Sequence, residues 1–191
     1  MNENNNKVNI YLIRHGEAGK SWDEDPDPGL SKKGIMQSEK IVSYLSEELK
    51  DKSFDVISSP LLRAQQTAIP LQKALNFEIS INNSFAEIPS PGIKLSERKL
   101  WLKNIFDSQI IDLESPQVKW REEIIKSLIN LKRHTLIFSH FMVINCVAGW
   151  IKQQEKVVNF YPANCSITKI QKKEGELRLI KLGDELNTIV Q

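Results

Sequence analysis

Two arginines, two histidines and a glutamate stand where apolar runs of this chain give way to loops or helices. They are Arg14 and His15 in "IYLIRHGE", Arg63 in "SSPLLRAQQTA", Glu87 in "FAEIPSPG" and His140 in "IFSHFMV". Each has a plain reading: His15 is where a strand meets water, His140 is a core histidine, and the arginines are surface charges. Together they have a sharper one. Two guanidiniums stay charged and present planar donor sets that match the oxygens of a dianion such as a phosphoryl group. A neutral imidazole between them is a competent nucleophile toward phosphorus, provided its second nitrogen is held by a backbone carbonyl that fixes the tautomer. Gly16, directly after His15, lets the backbone come close to such a ligand.

The elements that must deliver these residues are legible as alternating periods. "KVNIYLI" reads as a strand, and "LSKKGIMQSEKIVSYLSEELK" as a helix capped by Ser31 with Ile41, Leu45 and Leu49 on one face. "FDVISS" is a strand; Ser59 and Pro60 are expected to supply the cap and first turn of the helix "LLRAQQTAIPLQKAL", which Pro70 should bend or shorten. "FEISI" reads as a third strand, followed by an irregular, partly helical excursion over 82–115 that resembles a lid. Ser115 and Pro116 are expected to cap and open the helix "QVKWREEIIKSLINLK". "HTLIFS" then runs into the helix "FMVINCVAGWI", and two strands close the chain around Glu174 and Gly175. Strands alternating with helices predict an α/β fold, a three-layer α/β/α sandwich with a mostly parallel central sheet, as a single domain over 1–191. In such a sheet the carboxyl ends of the strands form the ligand-binding rim.

Bulk properties exclude several classes. The chain has 191 residues, 40% hydrophobic and 26% charged, with a net charge of +2, the profile of an ordinary globular protein without a nucleic-acid footprint. Cys146 and Cys165 share no metal-site spacing with the histidines and are expected to be reduced thiols. No leader is visible, and Ser139, His140 and Asn145 interrupt the most apolar span, so the expectation is a cytoplasmic protein with no membrane segment. The asparagine-rich first six residues are expected to fray. His134, at the start of its strand, is expected to be structural; aromatics more often fill cores, and of the tryptophans only Trp22, close behind the signature, is a candidate for a substrate entrance. Trp101 and Trp120 are expected in the core, and Lys20, Lys32 and Lys33 on a solvated face.

With these residues in view, the sequence resembles the histidine phosphatase superfamily, the phosphoglycerate mutase-like family. "LIRHGE" is similar to its signature, "LSKKGIMQ" to its following glycine element, "SSPLLRAQQTA" to its second motif and "IFSH" to its late serine-histidine pair, all in the family's order. The resemblance implies that His15 attacks a phosphoryl group and becomes phosphorylated, and that Arg14, Arg63 and His140 hold the equatorial oxygens. A carboxylic acid then protonates the leaving alcohol and water hydrolyses the phosphohistidine, with no metal and no cofactor. By position Glu87 matches the family's proton donor, although "IPSPGIKL" follows it where many relatives carry a tryptophan-glutamate-glycine element. Glu17, Asp23, Glu24 and Asp25 are the fallback acids, and a bound phosphate dianion would be expected to raise the pKa of Glu87.

The implied activity is hydrolysis of phosphate monoesters, with a phosphorylated small molecule or a phosphoprotein as substrate. Two alternatives stay within the family: a phosphohistidine protein phosphatase, whose leaving group hardly needs an acid, and mutase-type phosphotransfer. A non-catalytic phospholigand-binding protein is a third, and the number of subunits is open. The short acidic segment "AGKSWDEDPDPG" is unlike the longer arginine-containing stretch of cofactor-dependent mutases, which favours hydrolysis.

Overall fold

A computed structural model describes residues 7–21, 23–50 and 52–186; the first six residues and Trp22, and with them the expectations placed there, lie outside the described residues. The chain runs β1 (Lys7–Arg14), α1 (Lys32–Glu48), β2 (Phe54–Ser58), α2 (Leu62–Leu75), β3 (Ser80–Ile81), α3 (Arg98–Asp107), α4 (Ser115–Asn130), β4 (His134–Ser139), α5 (Phe141–Lys152), β5 (Ile167–Lys173) and β6 (Glu176–Lys181).

The six strands form one sheet in the order β3-β2-β4-β1-β5-β6. β3, β2, β4 and β1 pair in parallel, whereas β5 and β6 add antiparallel to that edge. Alternation along β1 separates the two faces. Tyr11 and Ile13 join Ile41 and Leu45 of α1 and Ala64, Ala68 and Leu71 of α2 on one side. Val8, Ile10 and Leu12 join Ile124 and Leu128 of α4 and Val143, Ile144 and Val147 of α5 on the other. Helices on both faces of a largely parallel sheet make the α/β/α sandwich, and burial on both sides explains why β1 and β4 read as near-continuous apolar runs.

Register decides where the chemistry falls. Arg14 pairs with Ser139 and Ser58 with Phe138, so the carboxyl ends of β1, β4 and β2 finish level. His15, His140 and Ser59 are the next residues along each strand. His134, at the opposite end of β4, accepts a hydrogen bond on Nδ1 from the Asn9 amide at 3.0 Å, a structural role.

Several local expectations need correcting. Ser31 does cap α1, its hydroxyl accepting from the Gly34 amide. Ser59 does not cap α2: Leu61, in extended backbone, is the cap residue, and the Ser59 hydroxyl accepts from the Leu61 amide at 3.2 Å. Pro70 sits inside an unbroken α2 rather than shortening it; Ala68 and Leu71 beside it are buried, and their packing outweighs the lost amide. Ser115 is the first helical residue of α4, with Glu114 as its cap residue and Pro116 in the first turn. The third strand is only two residues long, pairing at the edge of the sheet through Ser80 and Ile81 alone. Glu174 and Gly175 have φ of 54° and 85°, the left-handed pair that a two-residue hairpin turn requires.

Between β3 and α4 the chain forms three short 3-10 turns and α3. Phe85, in the first of these turns, enters the core beside Ile10 and Leu12, but the apolar residues of α3 do not. Trp101, Leu102, Ile105 and Phe106 pack instead on Phe141, Met142, Val157 and Val158, a third cluster beside the start of α5.

Candidate active site

The rim at the level strand ends is built by backbone first. The His15 amide donates to the Ser139 carbonyl at 2.9 Å, the Ser59 amide to Phe138 at 2.9 Å and the Arg14 amide to Ser166 at 3.1 Å, prolonging the ladders beyond the strands. At Gly16 the chain turns under α1. A side-chain carbon there would lie 2.6 Å from the Gly34 carbonyl oxygen, and one at Gly34 would lie 2.1 Å from the Glu17 carbonyl oxygen. Two glycines therefore let the signature loop and the first turn of α1 touch backbone to backbone. The Gly16 amide donates to Thr67 Oγ1 at 2.9 Å, and Thr67 in turn donates to the Arg63 carbonyl one turn earlier. Gly16 thus serves the packing of the signature loop on α1, with its amide engaged by Thr67.

Arg14, His15, Arg63, Glu87 and His140 converge at this rim. His15 is 5% exposed; its Nδ1 lies 2.6 Å from the Gly16 carbonyl and its Nε2 receives the Arg63 Nε–H at 3.2 Å. A carbonyl only accepts, so Nδ1 carries the proton and Nε2 keeps its lone pair. The Asn164 side chain donates to the His15 carbonyl at 3.0 Å. His140 lies with its ring centroid 5.2 Å from that of His15, its Nε2 2.7 Å from Ser59 Oγ. Arg14 donates from Nη1 to the Pro162 carbonyl at 2.7 Å and lies over the Phe141 ring at 5.3 Å. Asp27 approaches Arg63 Nη1 at 3.8 Å.

Glu87 reaches the rim from the excursion. Its Oε1 accepts from the Ile88 amide at 3.0 Å and from Met142, in the first turn of α5, at 3.2 Å. α4 fixes the backbone on either side: Trp120 Nε1 donates to the Ala86 carbonyl at 2.9 Å and Gln117 to the Pro89 carbonyl at 2.7 Å. Trp120 thus holds the segment that carries the carboxyl, while Trp101 packs in the third apolar cluster.

Burial governs the protonation states. The two imidazoles are held well below the ordinary histidine value, first by burial and then by the neighbouring Arg63, so both are neutral at pH 7. Burial pushes the Glu87 carboxyl up to about 7, against the opposing pull of the Ile88 amide, Arg63 and Arg14. The cause is desolvation by the protein itself, where the sequence reading looked to a bound phosphate. Arg14 and Arg63 are lowered by burial yet remain cations.

Five buried side-chain polar atoms have no partner among the described residues: Arg14 Nε, Glu87 Oε2, Arg98 Nε, His140 Nδ1 and Ser166 Oγ. Three belong to the converging set, and unsatisfied polar atoms concentrated at one place mark where a polar ligand completes the network. A cleft of about 200 Å³ adjoins this set, lined by Arg63, Glu87 and Arg98 among others but not by Arg14, His15 or His140.

The fallback acids lie elsewhere. Glu17 binds Ser31 and Lys33 at 2.8 and 2.7 Å, and Lys33 holds its carboxylate below the usual range. Asp23 is bound by the Ser21 hydroxyl, Glu24 accepts from the Ser21 amide, and Asp25 pairs with Lys20. None takes the place of Glu87. Sequence reasoning missed Thr67, Asn164, Pro162 and the hydroxyl of Ser59. Thr67 carries a signal, since a polar residue four after Arg63 falls on the same buried helix face. Asn164 and Pro162 lie about 150 residues from His15 in sequence and carry none.

Residues 10–93 match the family model for the histidine phosphatase superfamily (branch 1). Phosphoserine phosphatase from Entamoeba histolytica, solved with 3-phosphoglyceric acid, superposes with a TM-score of 0.68 at 21% identity, covering 93% of this chain and 97% of that one. A phosphoglycerate mutase from Bacillus anthracis gives 0.70 at 17% identity over 94% of both chains. A mycobacterial glucosyl-3-phosphoglycerate phosphatase gives 0.71 at 15% identity over 94% of this chain and 100% of that one. No curated protein matches. Among the described residues no group of three or more His, Cys, Asp or Glu side chains is arranged to hold a metal ion, and no helix is long and apolar enough to cross a membrane.

Proposed function

We propose that this member of the histidine phosphatase superfamily hydrolyses phosphate monoesters through a phosphohistidine on His15. The observation that carries the reading is the state of that imidazole. Nδ1 is tied to the Gly16 carbonyl at 2.6 Å, and the unprotonated Nε2 faces the guanidinium of Arg63 at 3.2 Å.

In this reading the incoming phosphoryl group takes over the donors that now meet Nε2. Arg14, Arg63 and His140 supply N–H groups to the three equatorial oxygens, the charge-bearing atoms of a loose transition state. The Nε2 lone pair forms the N–P bond as the ester P–O bond breaks. Glu87, protonated, gives its proton to the departing oxygen, which leaves as the alcohol. A water molecule then gives a proton to the Glu87 carboxylate and attacks phosphorus, the P–N bond breaks, and inorganic phosphate leaves neutral His15 behind. A carboxyl at about 7 holds and returns a proton at neutral pH, which suits both half-reactions.

The substrate in this reading is a phosphorylated small molecule, the kind of compound named for the similar structures, 3-phosphoglyceric acid among them. The reading takes the chain as one phosphatase domain whose excursion over 82–115 covers the leaving-group side. It places the protein in the cytoplasm, where free thiols such as Cys146 and Cys165 are the ordinary state.

The test is a hydrolysis panel of small phosphomonoesters, phosphopeptides and a phosphohistidine peptide, with His15→Ala as the blank. Release of phosphate from small esters by the wild type alone supports the reading. Turnover confined to phosphohistidine would move it to the protein-phosphatase branch, and transfer of the phosphoryl group to a second alcohol without phosphate release would move it to a mutase. Vanadate binding without turnover would leave a binding protein.

A further inference from the structure

The His15 imidazole takes its direction from the Gly16 carbonyl, which lies 2.6 Å from Nδ1. That carbonyl stands on a residue without a side chain, because a Cβ at Gly16 would lie 2.6 Å from the Gly34 carbonyl oxygen. Glycine leaves the backbone its widest choice of φ and ψ, so the direction of the carbonyl has to be set from outside. Neighbouring side chains set it. Thr67 Oγ1 accepts from the Gly16 amide at 2.9 Å, Gln37 Oε1 accepts from the Glu17 amide at 2.8 Å, and Asn164 donates to the His15 carbonyl at 3.0 Å. The peptide joining His15 to Gly16 is therefore held at both ends, its carbonyl by Asn164 and its amide by Thr67.

Asn164 differs from the other two. Thr67 and Gln37 stand on α2 and α1, whereas Asn164 stands on the irregular link before β5. That link grips Arg14 along its length: Pro162 accepts from Arg14 Nη1 at 2.7 Å, the Cys165 amide donates to the Arg14 carbonyl at 3.0 Å, and the Ser166 carbonyl accepts from the Arg14 amide at 3.1 Å. Cys165, next to Asn164, has a φ of 60°, left-handed backbone in a residue that carries a side chain. Such strain persists where its surroundings over-determine it, and it clusters at functional geometry. Asn164 belongs to none of the apolar clusters and is half-buried at the wall of an open cavity of about 350 Å³, so it is no filler of the core. We propose that Asn164 is a positioning residue of the reaction: by fixing the peptide between His15 and Gly16 it keeps the Gly16 carbonyl on Nδ1 and thereby the Nε2 lone pair in line with phosphorus. Without its hydrogen bond that peptide plane rotates, the carbonyl leaves the ring, and Nε2 meets the phosphoryl group off line. The inference rests on the phosphatase reading for its effect on rate, but the contact it turns on is read in the resting protein.

The experiment measures both. In protein labelled with ¹⁵N-histidine, the His15 Nδ1–H proton, assigned by its absence from His15→Ala, is expected as a downfield resonance protected from exchange. Asn164→Ala should move it upfield and speed its exchange with water by about tenfold or more. Pre-steady-state release of p-nitrophenolate from p-nitrophenyl phosphate should slow by about ten- to a hundredfold, the cost of a misdirected nucleophile. The inhibition constant of inorganic phosphate should change by less than about threefold, since Arg14, Arg63 and His140 stay in place. Asn164→Leu keeps the branched shape without the donor, should behave as Asn164→Ala does, and replaces it should the alanine variant not fold. Failure of both to fold would make Asn164 a structural residue and overturn the inference. So would a wild type with no protected resonance, a resonance unchanged in the variants whatever their rate, or a displaced resonance with an unchanged rate. Should the wild type hydrolyse no ester, the phosphatase reading fails separately; the resonance alone then decides, its displacement upholding the positioning role and its constancy overturning it.

Discussion

The two walls of the candidate site are made in different ways. On the strand-end wall, Arg14, His15, Ser59 and His140 stand at the ends of strands that finish level, and the backbones of Arg14, His15 and Ser59 are tied to a neighbouring strand or loop. On the excursion wall, Glu87 and Arg98 stand on short turns and one ten-residue helix, held by Trp120, Gln117 and a separate apolar cluster. The difference assigns each wall a task. Groups fixed by the sheet suit what every phosphate monoester shares, a tetrahedral dianion whose charge must be met without reorganisation. Groups on a covering segment suit what differs between substrates, the leaving group.

Substitutions on the two walls should therefore differ in kind. The largest effect belongs to the sheet: His15→Ala should cost at least about 10⁴-fold in kcat on every ester, because the nucleophile has no substitute. A dependence of that loss on the leaving group would break the division. Glu87→Gln comes next and should depend on substrate in the step that forms the phosphohistidine, losing about 10²- to 10⁴-fold on an alkyl phosphate and under about threefold in the p-nitrophenolate burst from p-nitrophenyl phosphate, whose anion needs no proton. In the wild type the alkyl rate should fall as pH rises through about 7, as the Glu87 carboxyl loses its proton, and the variant should lack that limb.

The same carboxyl predicts a smaller effect on stability. Unfolded, it loses its proton near the ordinary value of about 4.3; folded, it keeps the proton up to about 7. The folded state thus holds more protons between these values, stability declines as pH rises through that window, and the penalty is complete above 7. Glu87→Gln should raise stability at pH 8 by on the order of 1–3 kcal/mol and change it little at pH 4, measured by urea denaturation. The smallest effect is expected at Ser59→Ala, which removes the hydroxyl partner of His140 Nε2 and should slow all esters uniformly by about tenfold. Unequal slowing would place Ser59 with the leaving-group wall.

The strand-end wall was far more legible in the sequence than the excursion wall. Apolar runs ending in Arg14 and His15 or in Ser139 and His140 announce buried strands opening on a polar rim, and parallel pairing brings such ends together whatever the intervening length. Local competition hid the details: a serine before a proline reads as a helix cap, yet the Ser59 hydroxyl is drawn to the Leu61 amide and His140. Glu87 could be placed by position alone, but its protonation follows from burial under α4 and α5, which one-dimensional spacing does not encode. Arg98 was invisible for a related reason. In "SERKLWLKNIF" it is one cation among several, and only the fold tells which one turns toward the cleft.

The central claim is that His15 Nε2 carries the phosphoryl group. Mixing the protein with a ³²P-labelled small phosphomonoester, quenching in alkali within milliseconds and mapping the labelled peptide tests it directly. One acid-labile, alkali-stable phosphate on the peptide containing His15, absent from His15→Ala, is the predicted result. Label on another residue, or steady turnover by His15→Ala, would contradict it.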